Sequence, residues 1–102
     1  MTEAVAQLKE AVRIRPRSAD YHNNLGYVLA LQGKEEEAIT HFQEAIRLKP
    51  DLAAAHNNLG NALFYRGRLE EAIESYREAL RINPDFKLAK DNLKNALAKY
   101  KK

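Results

Sequence analysis

A 34-residue interval runs through this chain and limits what it can become. Pro16, Pro50 and Pro84 are spaced by it, as are Ala4, Ala38 and Ala72, and Ala11, Ala45 and Ala79. Leu25, Leu59 and Leu93 keep the same step, and so do the pairs Gly26 and Gly60, and Gly33 and Gly67. Laid over one another, Ala19–Leu52 and Ala53–Phe86 are identical at half their positions. A fixed period of this length marks an array whose units are each too small to bury an apolar face alone, so that every unit must stack on its neighbours. Function is thereby confined to a surface that binds something.

Each unit reads as two amphipathic helices. Between Ala19 and Gln32, Leu25, Val28, Leu29 and Leu31 follow the helical period, and Gly33 supplies the left-handed residue that ends many helices. From Glu35 to Leu48 the pattern returns through Ala38, Ile39, Phe42, Ala45 and Ile46, and Pro50 stops it. The next unit predicts helices over Ala53–Arg66, with Asp51 as the expected N-cap, and over Leu69–Ile82. Thr2–Ile14 matches the second helix of a unit, and Lys87–Tyr100 matches the first. The expected organisation is one array: a half repeat over 1–18, repeats over 19–52 and 53–86, and a capping helix over 87–102. The acidic run Glu35, Glu36 and Glu37 opens a helix and Arg47 and Lys49 close it, in the order the helix dipole favours. Gly26 and Gly60, with Ala38 and Ala72, are expected where the two helices of a hairpin approach closely. Lys94 stands at the glycine position of the last helix, as suits an end cap with a polar outer side.

The pattern His22-x2-Leu25-Gly26-x2-Leu29, then Ala38-x3-Phe42, Ala45 and Pro50, resembles a tetratricopeptide repeat. His56-x2-Leu59-Gly60-x2-Leu63, then Ala72-x3-Tyr76, Ala79 and Pro84, is similar to it again. His22 and His56 stand where the family often has Trp, and Leu29 and Leu63 where it often has Tyr. The resemblance spans essentially the whole chain and implies an all-α, right-handed α–α superhelix of antiparallel helical hairpins. It also implies a protein- or peptide-binding scaffold whose first helices line a concave groove.

Composition narrows the alternatives. In 102 residues there is room for one domain. The chain has no cysteine, hence no disulfide or thiolate chemistry, and a reducing, cytoplasmic setting is expected. No leader peptide or membrane-spanning run is read in it. With 17 basic and 14 acidic residues, the net charge of +3 is too slight for a dedicated phosphate-binding surface. RNA binding is therefore a distant alternative, since the groove positions are neutral and the surplus lysines sit in the tail. No enzyme, metal site or cofactor is expected. His22 and His56 lie one repeat apart, about 10 Å by helix packing distances, too far to share a metal whose bonds are near ~2 Å. They read as packing residues, and Thr40 and Ser75 read as helix-surface residues without a base.

The asparagines ask for a reason, because Asn is a mediocre helix former. Asn24, Asn58 and Asn92 share one position in successive first helices. Asn23 and Asn57 precede two of them, and Asn61 and Asn95 lie one turn further on. A carboxamide both donates and accepts, so a ladder of them can hold the backbone of an extended peptide. The resemblance sharpens this: the arrangement is similar to the asparagine ladder in the repeat superhelix of O-linked N-acetylglucosamine transferases. Tyr27 and Tyr65 are the expected side-chain contacts, and Phe64 serves either contact or packing. The plain alternative is that the asparagines bond neighbouring helices. A second family pattern, the two-carboxylate clamp for chaperone tails, is matched at Asn61 and Asn92. In that register Asn57 replaces the lysine and no third helix is read to carry the bases; started one unit earlier, the pattern meets Asn23 for the lysine and Leu88 and Asn92 for the bases.

The first helix lacks the partner helix it would have in a whole unit. Ala4, Val5, Leu8 and Val12 are expected to leave an uncovered apolar strip for self-association, with a homodimer through the half repeat as the alternative to a fragment of a longer array.

Overall fold

The computed structural model describes residues 2–14 and 17–101. Pro16, expected to close the first helix as Pro50 closes the third, lies outside them. Six helices follow in order: α1 (Thr2–Ile14), α2 (Ala19–Leu31), α3 (Glu35–Leu48), α4 (Ala53–Tyr65), α5 (Leu69–Ile82) and α6 (Lys87–Tyr100). No strand occurs among the described residues. Each helix packs on the next, α2 also touches α4, and α4 touches α6. The result is an all-α stack 42 Å long and 25 by 19 Å across. No helix among the described residues is long and apolar enough to cross a membrane.

The turn inside each hairpin comes from local chemistry. Gly33 and Gly67 sit at φ 80° and 78°, where an L side chain is strained. Around Gly33, the amides of Gly33 and Lys34 donate back to the carbonyls of Ala30 and Leu29, both at 3.0 Å. Gly67 and Arg68 repeat the arrangement on Phe64 and Leu63. These paired bonds satisfy carbonyls that the helix end would otherwise leave open. The link between hairpins departs from expectation. The N-cap of α4 is Leu52, and Asp51 caps nothing. The first helical residue is Ala53, so the cap position falls one residue later, on a half-buried leucine whose side chain makes no capping bond. Ser18 does cap α2, its hydroxyl accepting from the Tyr21 amide at 3.3 Å.

Each hairpin closes on an aromatic ring laid over a glycine. A Cβ on Gly26 would stand 2.6 Å from Phe42 Cε1, and one on Gly60 would stand 2.6 Å from Tyr76 Cε1. Phe42, Tyr76, Ala38, Ala45, Ala72 and Ala79 are all buried around these contacts. Ion pairs repeat on the surface of the second helices: Glu10 with Arg13, Glu44 with Arg47, and Glu78 with Arg81. They are solvated, and such pairs contribute little to stability.

In α1 the same face is open. Ala4, Leu8 and Ala11 occupy the positions of Ala38, Phe42 and Ala45, yet they are half-exposed where those are buried. Val5 is different from expectation: it is buried in the core, and Leu8 and Val12 also pack against it, partly covered. Of the expected strip Ala4, Val5, Leu8 and Val12, only Val5 is withdrawn into the core, while Ala4, Leu8 and Val12 stay half-exposed together with Ala11.

Candidate functional site

Because the first helices α2, α4 and α6 touch in series while α1, α3 and α5 do not, the stack curves with the first helices on its inside. Like-numbered side chains of α2, α4 and α6 therefore share one inner wall. The asparagines on it are organised differently from a simple ladder. Asn58 donates through Nδ2 to Asn23 Oδ1 at 3.0 Å, and Asn92 donates to Asn57 Oδ1 at 3.1 Å. Each rung joins one helix to the next at a step of 35 residues. Asn57 is buried and Asn23 half-buried, so these two orient their partners. Asn58 and Asn92 each keep a second N–H and a carbonyl oxygen. Asn24 is exposed and belongs to no rung.

Two depressions follow the wall. The first, about 200 Å³, is lined by Tyr27, Ala30, Leu31, Glu35, Phe42, Asn58, Asn61, Ala62 and Tyr65. The second, about 100 Å³, is lined by Asn61, Phe64, Tyr65, Tyr76, Asn92 and Asn95. Every residue of the second stands 34 positions after a residue of the first. They are one site, built twice. The structure thus brings together Tyr27, Asn58, Asn61, Tyr65, Asn92 and Asn95, and leaves Asn23, Asn24 and Asn57 outside both depressions. Asn61 is held by the Tyr76 hydroxyl, which donates to its Oδ1 at 2.6 Å. Burial pushes the Tyr76 phenol far above its ordinary range, with Tyr65 adding to the shift, so it remains a donor. Phe64 packs edge-on to Tyr65, their centroids 5.8 Å apart, beneath the Lys99 ammonium at 5.1 Å.

A larger hollow, about 600 Å³, lies among Gln43 of α3, His56 of α4 and Glu74, Ser75 and Arg77 of α5. It mixes acids and arginines, and none of the expected groove residues lines it. Ser75 proves buried rather than superficial, while Thr40 is exposed and donates to the Glu36 carbonyl at 3.3 Å. His56 Nε2 donates to the Pro50 carbonyl at 3.0 Å.

Reading the histidines by repeat position paired His22 with His56 and missed His41. His22 and His41 face one another across the first hairpin, rings stacked at 5.3 Å and Nδ1 atoms 3.1 Å apart. Ser75 stands at the position of His41, so the second unit holds no matching histidine pair and the repeat gave no signal for this contact. At that separation one imidazole donates and the other accepts. Among the described residues no group of three or more potential ligands is placed to hold a metal. Burial, reinforced by His22 and Lys9 and opposed by Glu37 and Glu44, pulls His41 below its ordinary 6.5. The folded chain therefore refuses a proton that the unfolded chain accepts, and stability present above 6.5 is lost as pH falls below it. Thermal melts at pH 7.5 and 5.5 are expected to show a lower Tm at acid pH. His41→Ser, copying Ser75, should flatten that difference; an unchanged pH dependence in the variant rejects the assignment.

Comparison with known proteins places these features. The family model described as a tetratricopeptide repeat matches residues 53–86, and one described as a TPR repeat matches 1–33 and 28–64. No curated protein matches by sequence. Among solved structures, the first tetratricopeptide domain of Spaghetti bound to an HSP90 peptide superposes with a TM-score of 0.96 at 21% identity, covering 99% of this chain and 80% of that one. The MamA protein aligns with a TM-score of 0.88 at 29% identity, over 93% of this chain and 52% of MamA. The O-GlcNAc transferase of Thermobaculum terrenum aligns with a TM-score of 0.88 at 31% identity, over 91% of this chain and 18% of the enzyme. The chain thus spans about half of MamA and under a fifth of the transferase.

Proposed function

This chain belongs to the tetratricopeptide repeat family, and from that membership we propose that it is a scaffold whose inner wall holds an extended peptide by its backbone. The observation that carries the reading is the duplicated depression: the same asparagine-edged site recurs one repeat apart. Sites repeated along a groove suit a ligand that is itself repetitive, and a peptide backbone is. Asn58 and Asn92 offer amide and carbonyl to it from side chains already oriented by Asn23 and Asn57. Asn24, Asn61 and Asn95 extend the line, with Tyr27 and Tyr65 as exposed aromatic contacts. A bound peptide in the Spaghetti domain, which shares the fold, supports the reading.

The test is a random-peptide selection on the immobilised protein, followed by affinity measurement on a triple variant with Asn24, Asn58 and Asn92 changed to Ala. Three sets of lost hydrogen bonds, each worth about 0.5–1.5 kcal/mol, weaken binding roughly tenfold or more. Circular dichroism should show the helices retained. A selection without binders, or a folded triple variant that binds as tightly as the parent, refutes the proposal.

A second reading is favoured by the half-exposed Ala4, Leu8 and Ala11 of α1, namely self-association through that face. Light scattering across a wide concentration range should then show a mass that rises with concentration. A constant monomer mass rejects it.

A further inference from the structure

The two copies of the groove site differ in a way that predicts what the first one takes. At the second, Phe64 stands where the first has Ala30 and narrows the space, and Lys99 stands where the first has Tyr65. A cation stands beside the second copy, the Lys99 ammonium lying over the ring of its Phe64 at 5.1 Å without lining the depression. The first copy has the opposite character. Glu35 lines it, where the next repeat has the apolar Leu69. The Oε2 atom of Glu35 is buried and accepts no hydrogen bond. Among the described residues Glu35 enters no ion pair.

We infer that the first depression receives a lysine or arginine side chain of the bound peptide, and that Glu35 selects it. This rests on the groove reading above. A buried carboxylate oxygen without a donor is costly, and a ligand cation supplies the missing donor. The rest of the lining suits such a side chain. Leu31 and Ala62 offer apolar surface to its methylene stem, and the rings of Tyr27 and Tyr65 attract the charge. Asn58 and Asn61, on the same rim, are left for the peptide backbone. An acidic peptide is disfavoured there, since it would set like charge against Glu35.

Parallel selections of one random-peptide library on the wild-type protein and on Glu35→Gln test this. The wild type is expected to enrich Lys or Arg over Gln at a single position, about tenfold or more, as befits a charge-assisted hydrogen bond. Glu35→Gln, isosteric and checked for helix content, should lose that enrichment while still selecting peptides. Enriched peptides without a basic position, or a basic preference that survives in Glu35→Gln, overturn the inference and leave the groove reading standing. A wild-type selection that yields no peptide at all brings down both.

Discussion

Tyr76→Ala is expected to cost about 3–5 kcal/mol, the range for removing a fully enclosed aromatic ring. The ring is 2% exposed and lies on Gly60, which has no side chain to fill the space left behind. The hydroxyl is also lost, leaving Asn61 Oδ1 without its donor. At this chain length each kcal/mol lowers Tm by roughly 4–8 °C, so thermal unfolding should report a fall of at least about 12 °C and chemical unfolding a lower denaturant midpoint. Tyr76→Phe separates the two contributions. It keeps the ring and forfeits one hydrogen bond, about 1 kcal/mol. If Tyr76→Ala loses no more than Tyr76→Phe, the ring is not what closes the second hairpin.

Gly26→Ala is the second, and its sign is the informative part. In an exposed helix interior the change would stabilise by up to about 1 kcal/mol, because alanine is the better helix former. Here the added carbon meets Phe42 Cε1 at 2.6 Å and Cδ1 at 2.8 Å. Phe42 is 1% exposed, so its ring must shift against its packed neighbours to admit the carbon. Overpacking of this kind costs about 1–3 kcal/mol and outweighs the propensity gain. Destabilisation is therefore expected in a denaturant melt. Phe42→Leu, which copies Leu8 at the equivalent position of α1, should relieve the clash. The double variant is then less destabilised than the two single losses summed, by about 1 kcal/mol. A Gly26→Ala variant as stable as the parent would mean the hairpin can open at no cost, and the close approach would not be required.

Much of the molecule was legible before any coordinates. The period, the glycines and the apolar spacing place all six helices, since repeat stacking demands local patterns that agree with the global fold. The asparagine positions also stood out by their cost in a helix. Their pairing did not. Asn58 to Asn23 and Asn92 to Asn57 join residues 35 apart, one more than the repeat, because neighbouring helices are offset. Counting by 34 aligned Asn24 with Asn58 and left Asn24 on a rung it does not occupy. The cap of α4 slipped by one residue for a similar reason: Asp51 is the better capping side chain, but turn geometry fixes where the helix begins.

Periodicity alone thus specified the kind of object, a curved stack of helical hairpins with a lined inner wall, because a repeat that cannot fold alone has few ways to bury itself. Which side chains meet across that stack was settled by the offset and curvature of packed helices, quantities no linear pattern encodes. The His22–His41 contact, the buried Val5 and Ser75, and the unsatisfied Glu35 oxygen all belong to that second category. Each depends on what a helix from another part of the chain places opposite it.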